Sequence, residues 1–447
     1  MQLRFINHAS VVFEHAGTRL MTDPWHYGSA FNNGWDLIAE TRFSAEEYAE
    51  INYLWISHEH PDHFSPRVLL GIPESLRAKI TVLYRTTTDK KVVNFCAKKG
   101  FAVRELDDDE RFELAPGFYA TCRTVPLYDS WLLLESPDAR VLNLNDAVVH
   151  TRRDLEALRR ELGRVDVLLT QFSYAAWRGN RADTAMRTAD AAKKLDVMRR
   201  QIRILQPRYT VPFASFAFFS HAENDFTNDS VNPPARAVEA ITEAGSTPVL
   251  LYPDDCWSVG ERHDNGPALA RWAVDYAALP ERPRRENVPV ELAALREAAD
   301  AYVQRIHSAN DRRILALLRR NPILPALRPI DIHLWDLGCD VRFSFERGLE
   351  LIDQREGGYE LRMSSDSLNF VFTQPWGIDS LTVNGRFHAD AGGLRRLVTT
   401  FGVDLLNNAG IRLRPAFLLD FASIGFLLRV LLRKLWSMQA QERDSPA

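Results

Sequence analysis

The sequence is poor in cysteine, and its few cysteines are far apart. Its 447 residues contain Cys96, Cys122, Cys256 and Cys339, which form no C-x-x-C pair. This distribution argues against a disulfide framework and favours reduced thiols in the cytosol. The chain begins with neither an apolar signal segment nor a small-residue cleavage site. The sequence therefore predicts a cytoplasmic protein.

A strong charge of one sign is also lacking. The chain has 55 basic and 59 acidic residues, a formal net charge of −4, so no global field favours nucleic acid as a partner. No internal repeat, P-loop or dinucleotide fingerprint occurs. The composition, 46% hydrophobic and 26% charged, is that of a globular protein. A chain of this length predicts two or three domains.

What the sequence does contain is one dense group of metal-ligand residues. The apolar stretch that ends in Trp55-Ile-Ser runs into His58-Glu-His60-Pro-Asp62-His63-Phe. Burying three imidazoles and a carboxylate without a cation leaves unmet polar demands, and a divalent metal removes that cost. A solvated polar loop after a strand is the alternative, but it explains the H-x-H-x-D-H spacing poorly. We predict a metal site at the carboxyl end of a buried strand.

This motif resembles the signature of the metallo-β-lactamase superfamily. The resemblance implies an α/β fold, a four-layer αββα sandwich, with two divalent metal ions. The sequence Trp-Ile-Ser-His-Glu-His-Pro-Asp-His-Phe is similar to that of the catalytic domain of CMP-N-acetylneuraminate hydroxylases and related oxygenases. In that family an Asp in the position of Asp23 supports the metal histidines, although capping of an Asp-Pro turn explains this residue equally well.

Three residues near the N-terminus are candidates for the pocket wall. His8 lies in Asn-His-Ala-Ser, which is similar to the Gly-His-Ala-Ser opening of a lactonase and phospholipase branch, with Asn7 in place of the glycine. We therefore predict that His8 lines the pocket at most. Trp25 and His26 follow Asp23 and are predicted to border the substrate cleft.

Two acidic residues are predicted to complete the metal site. The resembling family places a third histidine in a turn some 17 to 20 residues before a bridging Asp. Here Asp129 occupies the position of that histidine, and Asp146 matches the bridging carboxylate. An additional carboxylate favours iron, with manganese or zinc as alternatives. An ordinary turn Asp remains the other interpretation of Asp129.

The last predicted ligand follows the Val211-Pro212 pair. Superfamily hydrolases carry a histidine directly after such a pair, but this chain has Phe213 and Ala214 there. His221 is the nearest substitute, with Glu223 and Asn224 close enough to compete for that role. A histidine in a surface loop is the alternative.

Later segments suggest further domains. We predict a metal domain at 1–265, a linker with helices at 266–329, a small α+β domain at 330–415 and an amphipathic helix with a tail at 416–447. The α+β domain weakly resembles sterol-carrier-like domains, and its predicted strands include Leu368-Asn-Phe-Val-Phe. The apolar terminal helix carries charges that argue against a membrane span. It predicts a protein contact or, second, a peripheral membrane contact.

The leading functional hypothesis is a diiron oxygenase acting on a small molecule. His58, His60 and Asp129 would hold one ion, Asp62, His63 and His221 the other, with Asp146 between them. The resemblance implies sugar or sugar-nucleotide substrates. The hydroxylases also carry a Rieske domain with paired C-x-H and C-x-x-H motifs, which do not occur here, so an oxygenase would need a separate electron donor or electrons from its substrate. The alternative is a hydrolase of an ester, lactone or phosphodiester, in which Asp62 or Asp146 orients the nucleophile.

Overall fold

The computed structural model describes residues 1–125, 129–321, 326–353, 359–390 and 392–415. The chain divides into two compact units. The first comprises Met1–Ala175, Arg187–Phe219 and Asn228–Pro283, and the second comprises Ala176–Met186, Ser220–Thr227 and Arg284–Ala447. Each unit has its own hydrophobic core.

The first unit contains most of the strands. In chain order they are β1 (Gln2–Asn7), β2 (Ser10–His15), β3 (Thr18–Thr22), β4 (Trp35–Leu37), β5 (Tyr53–Ile56), β6 (Thr81–Arg85), β7 (Ala102–Leu106), β8 (Arg111–Ala115), β9 (Phe118–Val125), β10 (Asp129–Glu135), β11 (Arg140–Asn143), β12 (Val167–Gln171), β13 (Tyr209–Phe213), β14 (Ala217–Phe219), β15 (Thr247–Pro248) and β16 (Cys256–Ser258). The helices are α1 (Pro66–Gly71), α2 (Glu74–Arg77), α3 (Lys91–Lys98), α4 (Arg152–Leu162), α5 (Thr184–Leu205), α6 (Pro234–Glu243) and α7 (Gly266–Ala278). Short 3-10 turns lie at Glu46–Glu50, Asp225–Ser230 and Leu279–Glu281.

Two seven-stranded sheets form the centre of the first unit. Their strand orders are β16-β1-β2-β3-β5-β6-β7 and β15-β13-β12-β11-β10-β9-β8. Side chains from both sheets, such as Phe5 and Leu20 of the first and Leu132 and Leu168 of the second, share one apolar core. This arrangement is the predicted αββα sandwich.

The topology brings several strand ends to one edge of each sheet. Strands β3, β5 and β6 are parallel, and so are β11, β12 and β13. Strand β10 runs antiparallel to β11, so the beginning of β10 lies at the edge where β11 ends. Strand β1 is antiparallel to β2, and β2 is antiparallel to β3. Strands β1 and β3 therefore run in the same direction and end at the same edge of the sheet. Residues that follow these strands are therefore placed to meet.

The first unit extends past the predicted boundary at residue 265. Trp272 on α7 is 1% exposed, and its ring stacks on Phe216 with centroids 4.3 Å apart. The Trp272 Nε1 donates a hydrogen bond to the Leu251 carbonyl at 3.0 Å. Because of this packing, α7 belongs to the core of the first unit, whereas the sequence assigned it to the linker.

The second unit contains a small α+β domain. Its strands are β17 (Ile330–Leu334), β18 (Cys339–Ser344), β19 (Gly348–Ile352), β20 (Leu361–Met363) and β21 (Phe387–Ala389), in the sheet order β19-β18-β17-β20-β21. Its helices are α8 (Leu292–Ala309), α9 (Arg312–Arg320), α10 (Ser365–Thr373), α11 (Gly377–Asn384) and α12 (Gly393–Asn408).

One element of this unit differs from its predicted type. Residues 368–372, predicted as a strand, lie in helix α10. The Ser364 side chain accepts a hydrogen bond from the Ser367 amide at the beginning of this helix. Leu368, Val371 and Phe372 are buried at helical spacing, so the apolar run fills one face of a helix. Among the described residues, no helix is both long and apolar enough to cross a membrane. The predicted helix at 416–447 lies outside the described residues.

Candidate metal centre

The H-x-H-x-D-H residues lie in the turn after β5, where backbone hydrogen bonds bring their side chains together. The amides of His63 and Phe64 both donate to the His60 carbonyl, at 3.0 and 2.7 Å. In this turn His58 Nε2 lies 2.8 Å from His60 Nδ1, and His63 Nε2 lies 3.3 Å from Asp62 Oδ2. The four side chains that the sequence proposed as ligands are thus adjacent.

The two predicted acidic ligands reach the same place from the second sheet. Asp146 follows β11, and its Oδ2 lies 3.5 Å from His63 Nε2. Asp129 begins β10, and its Oδ1 lies 3.4 Å from His58 Nδ1. Asp129 is 5% exposed, so it is a buried carboxylate and not a turn residue in solvent.

Asp23, which follows β3, holds His63 in place. The Asp23 Oδ2 lies 3.0 Å from His63 Nδ1 and accepts a hydrogen bond from Asn145 Nδ2 at 3.0 Å. The Asp23 Oδ1 accepts the Ser57 amide at 2.8 Å. Asp23 is fully buried and has a φ of 37°. Its carboxylate directs Nε2 of His63 towards Asp62 and Asp146, which is the supporting contact that metal-binding histidines use.

An Asp23→Asn variant should bind metal about 10- to 100-fold more weakly, because outer partners of ligating histidines contribute this much. Asparagine has a similar shape and tolerates the left-handed backbone, so the fold should persist. Equilibrium titration with Co²⁺ and a far-UV circular dichroism spectrum test the two parts. Unchanged Co²⁺ affinity would contradict the assigned role.

His8 lies closer to the site than the sequence indicated. Its Nε2 is 3.4 Å from Asp62 Oδ2, and its Nδ1 accepts a hydrogen bond from the Phe216 amide at 3.2 Å. A backbone amide can only donate, so Nδ1 carries no hydrogen and the neutral ring carries it on Nε2. His8, Asp62 and His63 have ligand atoms within 4.8 Å of one another, but this tautomer makes His8 a hydrogen-bond donor to Asp62.

The electrostatics of the cluster favour a bound cation. Burial opposes a charge on His63, but Asp62 and Asp146 raise its pKa well above the usual range. Burial, and next the neighbouring Asp146, raise the pKa of Asp129 well above normal. Burial and then His63 lower the pKa of His58. The carboxylates therefore attract a positive charge, which a divalent ion supplies better than one shared proton.

The spacing of the donor atoms fits the same conclusion. Two atoms each about 2.1 Å from one ion, at angles between 90° and tetrahedral, lie roughly 3.0–3.4 Å apart. The pairs that join His63 to Asp62 and Asp146 are 3.3 and 3.5 Å long. Among the described residues, the buried Asp62 Oδ1 and His63 Nε2 have no hydrogen-bond partner. His58, His63 and Asp146 also form a compact group of ligand atoms. These residues fit a metal centre.

Trp25 and His26 are buried, although the sequence predicted them at the substrate cleft. Trp25 is fully buried, with its ring against that of His8 at a centroid distance of 5.2 Å. His26 is 5% exposed and its Nε2 lies 2.9 Å from the Tyr48 hydroxyl. The ring of Phe43 is 5.4 Å from that of His26. Both predicted residues pack in an aromatic interior and stabilise the fold around the site.

Acid should destabilise the first unit through His26. Burial lowers its pKa to about 4, whereas an unfolded histidine has a pKa near 6.5. The unfolded chain therefore binds the proton first, and stability present above pH 6.5 is lost as the pH falls towards 4. The loss is roughly 3 kcal/mol. A His26→Phe variant should show a shallower pH dependence of the urea unfolding free energy, and parallel curves would contradict this.

His221 stays a predicted ligand, with Glu223 and Asn224 as its competitors. All three belong to the second unit. The compact groups of ligand atoms found among the described residues contain neither His221 nor the predicted ligands His60 and Asp129. The His221 Nδ1 accepts a hydrogen bond from the Glu223 amide at 3.2 Å. Burial, and then Arg386, lower the pKa of His221 to about 3. Within the second unit, His221 is a buried side chain whose Nδ1 accepts a hydrogen bond.

The positions after Val211-Pro212 have another use. The Ala214 amide donates to the His8 carbonyl at 3.0 Å, and the Phe216 amide donates to the His8 ring. Where the hydrolases carry a histidine, this chain therefore orients His8, which comes from the end of β1. The sequence could have indicated this role of His8, because His8 follows β1, a strand that ends at the same edge of the sheet as β3.

Comparison with known proteins supports the fold on which this site is built. Residues 2–213 match the family model of the beta-lactamase superfamily domain. These residues form a β-lactamase superfamily domain. The match covers β1 to β13 and includes His8, the whole H-x-H-x-D-H turn, Asp129 and Asp146. The predicted family and fold are confirmed for this part of the chain.

The β-lactamase superfamily domain is similar to parts of longer proteins. A Mycolicibacterium smegmatis protein, whose name proposes a Rieske 2Fe-2S iron-sulfur protein, is 26% identical over 260 residues, 53% of this chain and 48% of the relative. The cytidine monophosphate-N-acetylneuraminic acid hydroxylase of Danio rerio is 27% identical over 272 residues, 54% and 43% of the two chains. This chain thus matches about half the length of these relatives.

A solved structure is also similar. CmlA, a diiron beta-hydroxylase from Streptomyces venezuelae, is 19% identical with a TM-score of 0.41, and the match covers 57% of this chain and 53% of CmlA.

Proposed function

We propose that the β-lactamase superfamily domain is a dinuclear metalloenzyme, with iron as the favoured metal, that activates oxygen to hydroxylate or otherwise oxidise a small molecule. The buried Asp129 carboxylate, 3.4 Å from His58, carries this proposal. It gives the cluster as many carboxylates as imidazoles: His58, His60 and His63 with Asp62, Asp129 and Asp146. Mixed imidazole and carboxylate donors suit iron better than thiolate-rich or all-imidazole sets.

Two sets of side chains would each hold one ion. His58, His60 and Asp129 would hold one ion, and Asp62 and His63 the other, with Asp146 between them. Only one nitrogen of His58 would bind, since its Nδ1 faces Asp129 and its Nε2 faces His60. Bound iron supplies the one-electron chemistry with oxygen that side chains lack. Asp23 and His8 fix the orientation of His63 and Asp62.

A wall of aromatic side chains lies beside His60. The Phe31 ring is 5.7 Å from that of His60 and 4.7 Å from that of Trp35. Phe31 is 2% exposed and has a φ of 50°, a strained conformation for a bulky residue. Strain of this kind persists where the surroundings fix it, and here Phe31 packs against the rings of His60 and Trp35.

The relatives support a substrate class, and the sequence bears on the source of electrons. Hydroxylases acting on a cytidine monophosphate-linked sugar support sugar or sugar-nucleotide substrates. The 447 residues contain no paired C-x-H and C-x-x-H motifs, so electrons would come from a redox group outside them.

Metal content and the response to oxygen test the proposal. Anaerobic purification with iron should give about two irons per chain and a visible spectrum that changes on exposure to oxygen. An Asp129→His variant is the matched comparison and should shift metal preference from iron towards zinc. Two zinc ions without an oxygen-dependent spectrum would overturn the oxygenase proposal and favour a hydrolase of an ester, lactone or phosphodiester.

A further inference from the structure

A polar chain from helix α5 reaches the carboxylate of Asp146. Gln171 ends β12, and its Nε2 donates to Asp146 Oδ1 at 2.5 Å and to the Ala214 carbonyl at 3.4 Å. The Gln171 Oε1 accepts a hydrogen bond from Lys194 Nζ at 2.9 Å. Every polar atom of this amide therefore has a partner.

Lys194 determines which way the Gln171 amide faces. An ammonium group can only donate, so it selects the amide oxygen and leaves the amide nitrogen facing Asp146. Asp146 and the Ala214 carbonyl accept, and they select the same orientation. The amide assignment thus rests on three partners whose donor or acceptor roles are fixed, and a flipped amide would place its oxygen 2.5 Å from a carboxylate oxygen.

We propose that Gln171, oriented by Lys194, is a positioning residue that presents Asp146 to metal through Oδ2 alone. The Oδ2 atom is the one that lies 3.5 Å from His63 Nε2, while Oδ1 is turned towards Gln171. This inference rests on the metal centre of the proposed function but not on its oxygen chemistry. It predicts that Asp146 binds as a one-oxygen ligand and does not chelate one ion with both oxygens.

The position of Gln171 explains why this residue can act on the site. It lies at the carboxyl end of the strand next to β11, in register with Phe213 on β13. The side chains that follow β11 and β12 therefore meet at one edge of the sheet. Lys194, which charge patterning alone would assign to the solvated face of α5, is half-buried where it contacts Gln171.

Titration of the full chain with Co²⁺ tests the inference. A Gln171→Met variant keeps side-chain length but loses the donor, and it should bind Co²⁺ about 10- to 100-fold more weakly. The visible Co²⁺ bands of the variant should weaken as Asp146 becomes free to chelate and the coordination number rises. Lys194→Met should shift affinity in the same direction by less, and Lys194→Arg should restore it.

Lys193→Met is the matched control, because Lys193 is the exposed neighbour on α5, and it should behave as wild type. Wild-type affinity and spectrum in both Gln171→Met and Lys194→Met would overturn the inference while leaving the metal centre intact. Absence of Co²⁺ binding by the wild-type chain would overturn the metal centre and this inference together. Iron binding without oxygen chemistry would overturn only the oxygenase proposal. If Gln171→Met fails to fold, Lys194→Met carries the test.

Discussion

A His63→Ala variant should lose more than about 100-fold in metal affinity, exceeding the effect of changing an outer partner of a ligand. His63 is the central donor of the cluster, because its Nε2 faces both Asp62 and Asp146, at 3.3 and 3.5 Å. Removing the imidazole separates these carboxylates from a shared donor and leaves Asp23 buried without its histidine. We therefore expect both ions to be lost, and the proposed oxygen-dependent activity to be lost with them.

Elemental analysis after anaerobic reconstitution measures this loss directly. Asp62→Asn provides a second variant, since it preserves side-chain shape while removing the charge that faces His63. His15→Ala is the control, because His15 lies at the end of β2, where its nearest carboxylate is Asp138 at 4.0 Å. Two ions bound to folded His63→Ala protein would show that His63 is not a ligand.

The parts of the site that sequence could predict are those encoded locally. The four side chains between His58 and His63 share one turn, so their spacing in sequence is nearly their spacing in space. Asp23 and Asp146 each follow a strand that has parallel neighbours in its own sheet, and sites form where such strands end. These residues meet when the two sheets of the αββα sandwich pack together, and the motif predicted that sandwich.

The parts that sequence missed depend on contacts between distant segments. The distance from His8 to Asp62 depends on a turn after β1 that the Ala214 and Phe216 amides hold in place. No spacing in the sequence encodes those two hydrogen bonds. The contact from Gln171 to Asp146 could not be predicted for a similar reason, since a glutamine at a strand end has no chemical signature until its partners are known.

In the second unit, one predicted element was wrong and one predicted group of ligands stays a prediction. The apolar run from Leu368 to Phe372 alternates in a manner that suits a strand, yet the Ser364 cap begins a helix there. Residues His221 to Asn224 were associated with metal because the family places a ligand after Val211-Pro212. The side chains of Glu223 and Asn224 pair with residues more than 100 positions later, as in the contact from Glu223 to Arg386.

An Arg386→Met variant should destabilise the second unit by about 3–5 kcal/mol, the usual cost of leaving one partner of a buried ion pair. Arg386 is fully buried; its Nε donates to Glu223 Oε2 and its Nη2 to Asp366 Oδ2, each at 2.7 Å. Glu223 also accepts hydrogen bonds from Trp335 Nε1 at 3.0 Å and from the Ser364 hydroxyl at 3.2 Å. Without the guanidinium, these neutral donors face a buried carboxylate whose charge has lost its nearest cation.

Hydrogen exchange of β20 and β21 measures the free energy of opening within this unit, independently of the first. The double variant Glu223→Gln/Arg386→Met should recover much of the loss, because it removes the buried charge along with its partner. Arg342→Met is the control, since Arg342 pairs with Asp331 while 47% exposed and should cost less than about 1 kcal/mol. Equal destabilisation in the single and double variants would mean that packing of the Arg386 stem, and not charge pairing, stabilises this unit. Recovery in the double variant would instead identify Glu223, a residue that sequence associated with the metal site, as one that stabilises the second unit through a buried ion pair.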